Sequence, residues 1–282
     1  MTAASGENPQ SEVWNGIKGL AWVEAQVMLD RMFQPFADML VDRAAAAPRR
    51  HVLDVGCGTG AVTMALARTL GSESACTGID ISEPMLAAAR ARAEAAGVSA
   101  RFVKADAESY AFEPGGYDLI VSRFGVMFFA DPVAAFSNLN HAAQPGGEFA
   151  AVAWRSPAEN EFMTTAGRAA APYLPETPRP PPDAPGQFGF SDAERVRAIL
   201  EQSHWRDIKI EPVDAECHLA LRHLDLFLTK IGPLVAVLPT LDAPTREEAI
   251  ATARAAFEPY VDGDDIVYTA ACWMISARAK EG

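Results

Sequence analysis

Apolar residues along this chain follow two alternating rhythms. Short blocks rich in Val, Ile and Leu occupy residues 52–55, 77–81, 101–105 and 117–122, each too brief for a helix. After the first block, residues 61–67 read as a helix, and Pro84 after the second stands where the first turn of another would begin. Strand, turn and helix in this succession predict an α/β fold. Before the sheet, Trp14, Ile17, Leu20, Ala21, Val23, Val27 and Met28 roughly keep a helical period that residues 29–40 continue. After it, 207–219 and 265–277 read as the last two strands, with helices at 224–238 and 245–260 between them, the first strongly apolar. The chain thus divides into N-terminal cap helices at 1–48 and a sheet domain at 49–282, with insertions near 156–190 and 222–262.

The run VLDVGCGTG at residues 52–60 joins the first strand to a turn that admits a nucleotide. Gly56, Gly58 and Gly60 supply bare backbone at a helix N-terminus, where a ligand can approach closely. Two ligand chemistries compete for it. The stretch from Gly56 to Ala61 satisfies the dinucleotide pattern G-x-G-x-x-A, with Asp80 at about the expected later position. Asp54, however, puts a carboxylate inside the strand, where a pyrophosphate gains nothing from negative charge and a cationic ligand does.

With Asp54, Gly56, Gly58 and Gly60 in place, the stretch resembles the first motif of class I S-adenosylmethionine-dependent methyltransferases, and the next hundred residues keep matching in order. Residues 77–80 close a second strand on Asp80, followed by Ile81-Ser82; 101–107 form the third strand and its exit at Asp106-Ala107; 117–122 form the fourth, ending at Ser122-Arg123. Gln144-Pro145-Gly146-Gly147 looks like the family's turn into the fifth strand, with Gln144 where an apolar residue is usual. The resemblance implies a Rossmann-like seven-stranded sheet, order 3-2-1-4-5-7-6 with the last strand antiparallel, and S-adenosyl-L-methionine as cofactor. It also implies that Asp80 meets both ribose hydroxyls, that Ile81 packs on adenine, and that Asp106 beside the Ala107 backbone meets the adenine amino group. Trp14, Asp54, Gly56, Cys57 (through its backbone), Gly58, Ser122 and Arg123 complete the expected cofactor site. Asp54, Asp80, Asp106 and Ser122 each fall at the C-terminal edge of a strand, where open α/β sheets bind ligands; Asp118, at the start of its strand, reads as structural.

Composition narrows the partners. A formal net charge of -13 argues against nucleic acid, which demands a basic footprint. The apolar stretches are broken well short of the roughly 20 residues that a membrane span needs, and the first ten residues lack the order of a signal peptide, so a cytoplasmic location is expected. Cys57, Cys76, Cys217 and Cys272 have no C-x-x-C spacing and no histidine pattern, so neither zinc nor a disulfide framework is suggested, and no metal is expected.

The additions around the sheet are the expected acceptor site. Trp14 and Trp22 sit on the cap segment. Pro172, Pro175, Pro178, Pro180, Pro181, Pro182 and Pro185 crowd residues 170–189, excluding helix and favouring extended geometry. This run ends in Phe188-Gly189-Phe190, after which Ser191 to Glu194 reads as a capping box. Trp14, Phe188 and Phe227 are the candidate acceptor contacts, and the aromatic content favours a small apolar or ring-bearing molecule. Ser122-Arg123-Phe124-Gly125 stands where amino-group methyltransferases of nucleic acids or proteins carry an Asn/Asp-Pro-Pro-aromatic motif, which disfavours such acceptors. The apolar helix at 224–238 implies either a packed cap or an oligomer face.

Methyl transfer from a sulfonium is an in-line displacement, and alignment alone can supply about 7–11 kcal/mol of the barrier. No catalytic side chain is obligatory. Of the five histidines, His218 near the end of its strand is the candidate general base, while His51, His141 and His204 read as structural. Two other readings remain: an NAD(P)-dependent oxidoreductase on the same turn, although no tyrosine is followed four residues later by lysine, and a non-catalytic protein that keeps the fold as a scaffold.

Overall fold

Four short helices lead into the sheet: α1 (Pro9–Asn15), α2 (Ile17–Glu24), α3 (Gln26–Met32) and α4 (Gln34–Ala45). The structure, a computed structural model, describes residues 9–175, 181 and 184–281. The chain then alternates β1 (His51–Val55), α5 (Ala61–Leu70), β2 (Ala75–Asp80), α6 (Glu83–Ala95), β3 (Arg101–Lys104), β4 (Tyr117–Arg123), α7 (Pro132–Ala142) and β5 (Ala143–Trp154). Next come α8 (Glu161–Ala170), α9 (Ala193–Gln202), β6 (Arg206–Ala220), α10 (Leu224–Leu226), α11 (Ala243–Ala255), β7 (Val261–Asp262) and β8 (Asp265–Arg278).

The strands order as β3-β2-β1-β4-β5-β8-β6, with the two-residue β7 pairing only with β8. All pairs from β3 to β5 are parallel, and β8 runs antiparallel to both its long neighbours. The expected order is therefore present, with β8 as the seventh long strand. Parallel strands are covered on both faces, which is why β1 and β4 read as nearly continuous apolar blocks. The two faces of β5 are marked by residues five apart. Trp154 packs against Phe36 of α4, while Phe149 packs edge-on against Phe136 of α7, and an odd separation on a strand places side chains on opposite faces. Phe36, Phe136 and Phe149 are essentially fully buried. Each such ring contributes about 1.5–3 kcal/mol of transfer free energy relative to exposure.

Local signals fix the helix starts. Ser82 caps α6, with Pro in its first turn; Asp131 caps α7 and Asp242 caps α11, each side chain accepting a backbone N–H three residues on. Three expectations are corrected. The cap of α9 is Asp192, which accepts from the N–H groups of Glu194 and Arg195, so the capping residue lies one position later than Ser191. The helix expected at 224–238 is α10 continued by a π-helical turn at Phe227–Ile231 and stops at Gly232, which is extended, because the proline ring of Pro233 disfavours helical geometry in the residue before it; a separate 3₁₀ turn follows at Leu238–Thr240. The helix expected at 245–260 is α11 followed by a 3₁₀ turn at Glu258–Tyr260. At the head of the proline-rich run, Pro172 sits in a 3₁₀ turn, Ala171–Tyr173, that continues α8, since proline is tolerated in a first turn. Residues 176–180 and 182–183, which hold Pro178, Pro180 and Pro182, lie outside the described residues, as do 1–8 of the expected cap.

Candidate active site

The glycine turn is shaped by backbone meeting backbone. Gly56 has φ +67, and a Cβ added there would stand 2.7 Å from the Cα of Gly125, the residue two beyond β4. The reverse also holds: a Cβ on Gly125 would stand 2.6 Å from the Val55 carbonyl oxygen and 2.8 Å from Gly56 Cα. Two bare glycines thus let the exits of β1 and β4 touch. Ser122 tightens the same junction. Its hydroxyl donates to the Val55 carbonyl at 2.7 Å and accepts from the N–H groups of Gly125 and Val126 at 3.1 and 3.3 Å. Completely buried and engaged three times by backbone, Ser122 staples the floor of the crevice.

The three carboxylates converge as the strand order requires. Asp80 Oδ2 accepts from Gly58 N at 2.8 Å and Oδ1 from Ser82 N at 2.8 Å, so the acid that closes β2 holds the glycine turn in place. Burial raises its pKa, against the pull of those N–H donors. Asp106 accepts from Glu108 N at 3.0 Å, and the Asp80 carbonyl accepts from Ala105 N at 3.0 Å, which sets the two strand exits side by side. Ala107 is buried and Ile81 half-buried beside them, while Cys57 turns its thiol inward, under Gly78.

Asp54 is the most perturbed of the acids. It is 2% exposed and accepts from Thr63 Oγ1 at 2.6 Å. Burial lifts its pKa from 3.8 to about 6, opposed by the Thr63 hydrogen bond and the Arg123 charge. Arg123 is itself lowered by burial and sustained by Asp30 and Asp54; it donates to the Phe33 carbonyl at 3.3 Å.

The N-terminal helices lie across this edge of the sheet. Asn15 bridges to the exit of β2 twice: its Nδ2 donates to the Ile81 carbonyl at 2.9 Å and its Oδ1 accepts from Glu83 N at 2.9 Å. The Trp14 carbonyl accepts from Ser82 Oγ at 2.6 Å. The Trp14 ring meets Phe128, beyond β4, at 5.3 Å and Trp22 at 5.6 Å, both edge-on. Trp14 therefore spans the gap between the exits of β2 and β4. Lys230 pairs with Glu24 at 3.1 Å, tying α2 to the segment after α10.

Register places the polar and aromatic groups on one sheet face. Asp54 pairs with Val121, two before Arg123; Arg123 pairs with Val152, two before Trp154; Trp154 pairs with Cys272, four after Tyr268. Even steps keep a side chain on the same face, so Asp54, Arg123, Trp154 and Tyr268 form a row. Around it, Phe124 stacks flat on Trp154 at 4.3 Å, Phe33 meets both rings, and Phe162 of α8 stacks on Tyr268 at 3.7 Å. Phe124 holds φ +65, an uncommon conformation for a side chain of this size, fixed by packing on three sides.

The remaining candidates are spread around this centre. Phe227 packs edge-on against Phe257 inside the cap, at 6.2 Å. Phe188 lies half-buried in a loop that Gly186 N anchors to the Met127 carbonyl at 3.0 Å. His218 is half-exposed on β6, with its Nε2 3.3 Å from Glu216 and its Nδ1 3.6 Å from Asp265, an acid that also pairs with Arg31. Asn15, Phe162 and Tyr268 carried no motif in the sequence; Phe124 and Gly125 stood out only for departing from one, and their place just beyond a strand exit was the legible signal.

As a donor set, three carboxylates at adjoining strand exits and a glycine-rich turn fit a cationic adenosine derivative. A second anionic group such as a pyrophosphate would face Asp54 at close range. The Methyltransferase domain family matches residues 52–147. Demethylmenaquinone methyltransferase of Thermus thermophilus is 34% identical over 141 residues, covering 48% of this chain and 63% of that one. Aklanonic acid methyltransferase DauC of Streptomyces sp. is 31% identical, covering 52% of this chain and 70% of that one. The chain spans about half or less of the length of most of the curated relatives it matches. Among solved structures, the [4+2]-cyclase SpnF aligns over 94% of this chain and 95% of its own with a TM-score of 0.57 at 19% identity, a likeness of fold.

Proposed function

We infer that this chain, which belongs to the class I S-adenosylmethionine-dependent methyltransferases, the family whose cofactor is S-adenosyl-L-methionine, methylates a small, apolar or ring-bearing metabolite by a displacement governed by positioning. The observation that carries this reading is the row from Asp54 through Arg123 and Trp154 to Tyr268, which leads from the carboxylates at the strand exits into a wall of aromatic rings. When bound, the cofactor supplies an electrophilic methyl group on a sulfonium. Asp80 would hold the ribose hydroxyls, Ile81 the adenine face, and Asp106 with the Ala107 backbone the adenine amino group. Asp54 sets a negative charge toward the cationic end, and burial makes that charge strong because little solvent screens it. The Trp14 helix excludes water from the crevice, and the rings of Phe33, Phe124 and Trp154 hold an apolar acceptor in line. His218, half-exposed beside two carboxylates, receives no proton-transfer role in this reading.

The names of the curated relatives, demethylmenaquinone methyltransferase and aklanonic acid methyltransferase, support a small-molecule acceptor. The carboxylate at Asp54 and the family membership set aside a nicotinamide dehydrogenase. A second reading keeps the cofactor without transfer, since a [4+2]-cyclase has the same fold and fold does not fix function. Thermal shift separates these readings. S-adenosylhomocysteine at 100 times its dissociation constant stabilises by about 2.7 kcal/mol, and a shift with NADH in its place would overturn the assignment. A metabolite screen read by mass for a methyl increment then tests transfer; binding without any methylated product favours the second reading.

A further inference from the structure

Tyr268 stands on β8 opposite Cys217 of β6, four residues beyond the point where β5 ends against Cys272. The antiparallel β6–β8 pair thus overhangs the C-terminal edge of the sheet, and Tyr268 lies on the face that carries Asp54, Arg123 and Trp154. Among the described residues no strand pairs with Tyr268 on the β5 side, where the short β7 reaches only Asp265 and Ile266, and the Phe162 ring stacks on the Tyr268 ring at 3.7 Å, tilted by 20°. Tyr268 is 5% exposed, yet its hydroxyl has no hydrogen-bond partner among the described residues. Buried tyrosine hydroxyls are ordinarily paired, because an unmade hydrogen bond costs stability without return. Cys217, directly opposite on β6, and Cys272, four residues along β8, share its face and offer only thiols, which are weak donors and acceptors.

We propose that the Tyr268 hydroxyl is the polar anchor of the methyl-acceptor pocket and donates a hydrogen bond to a neutral oxygen, carbonyl or hydroxyl, on an aromatic acceptor. The proposal rests on the methyltransferase reading above and names the acceptor chemistry of that same site. Burial holds the phenol far above its ordinary pKa, so at neutral pH it is a donor and not a base. A charged partner would lose its hydration among Trp154, Phe162, Phe33 and Phe124, whereas a neutral oxygen gains the missing bond. Phe162, at the second position of α8, is the ring that an incoming aromatic acceptor replaces on the Tyr268 face.

The test uses Tyr268→Phe, which keeps the stack and removes only the oxygen. Both proteins are first saturated with S-adenosylhomocysteine, then probed with 1-naphthol and naphthalene by equilibrium dialysis. The parent should bind 1-naphthol about tenfold or more tightly than naphthalene, and the variant should bind the two about equally. The variant's melting temperature should equal or exceed the parent's, and its affinity for S-adenosylhomocysteine should not change. A parent without the preference, a variant that keeps it, or a variant that melts several degrees lower overturns the proposal; the last result means that the hydroxyl is bonded within the fold. Failure of the parent to bind S-adenosylhomocysteine is a separate outcome, read before either probe is added, which removes the methyltransferase reading and this proposal with it.

Discussion

Replacing Asp54 with asparagine should stabilise the free protein at neutral pH while weakening its hold on the cofactor. Asp54 titrates near 6 instead of 3.8 because burial penalises its charge more than Thr63 and Arg123 relieve it. A carboxyl that binds its proton more tightly folded than unfolded adds stability below pH 3.8. That contribution is lost as pH rises from 3.8 to about 6. At about 1.4 kcal/mol per pH unit, the loss at pH 7 is about 3 kcal/mol. Asparagine keeps an oxygen for the Thr63 hydroxyl and carries no charge. Arg123 loses one of its two sustaining carboxylates and keeps Asp30, which trims the net gain to roughly 1–3 kcal/mol. Binding moves the other way, since a charge-assisted contact worth about 1.5–3 kcal/mol disappears and S-adenosylmethionine should bind at least about tenfold more weakly. Urea unfolding of both proteins without ligand, at intervals from about pH 4 to pH 7.5, measures the first effect, and calorimetry measures the second. The advantage of Asp54→Asn should open as pH rises through about 4 to 6 and then level off. A variant less stable than the parent at pH 7, or one whose advantage ignores pH, refutes the account of Asp54 as a buried, costly charge. Unchanged cofactor affinity would mean that this charge does not face the cofactor.

Other substitutions probe the rest of the site. Asp80→Ala should weaken S-adenosylmethionine by about tenfold or more in calorimetry, through two lost ribose contacts and a slackened Gly58 turn. His218→Ala should leave turnover within about tenfold, where a base role demands a loss of about 10²–10⁴; a thousandfold loss with the cofactor still bound would restore the histidine to the chemistry. Asn15→Ala removes both bridges to the β2 exit and should raise amide exchange across α1 and α2 without lowering protection in β1 or β4; unchanged exchange would make the bridges incidental. Trp14→Ala should slow acceptor turnover more than it lowers the melting temperature, and the reverse result would make the N-terminal helices plain scaffold.

The local signals that sequence carries proved most legible where neighbouring residues suffice. The strand blocks, the glycine turn, the proline and serine that open α6 and the acids at the strand exits all depend on short-range chemistry. Errors appeared where a distant or single residue decides. Pro233 cut the apolar run at 224–238, whose periodicity alone suggested one helix. Asp192 rather than Ser191 took the capping position because only its carboxylate reaches the two free N–H groups. Ser122 lies at a strand exit as expected, yet its hydroxyl is consumed by the Val55 carbonyl and two amides, which linear position could not reveal.

By itself the sequence determined the α/β class, the strand order through resemblance, the turn and the identity of the acids, because period and turn chemistry are properties of adjacent residues. Tertiary structure decided which groups meet. The approach of Gly125 to Gly56, the bridge from Asn15 to Ile81, and the row from Asp54 to Tyr268 join residues between 66 and 214 positions apart. Such encounters depend on register and packing across the whole sheet, and no local pattern encodes them. The hydroxyl of Tyr268, unpartnered among the described residues, is of the same kind: a tyrosine on a strand is unremarked in sequence, and only the burial imposed by Phe162 and the overhang of the β6–β8 pair leaves its oxygen waiting for a partner.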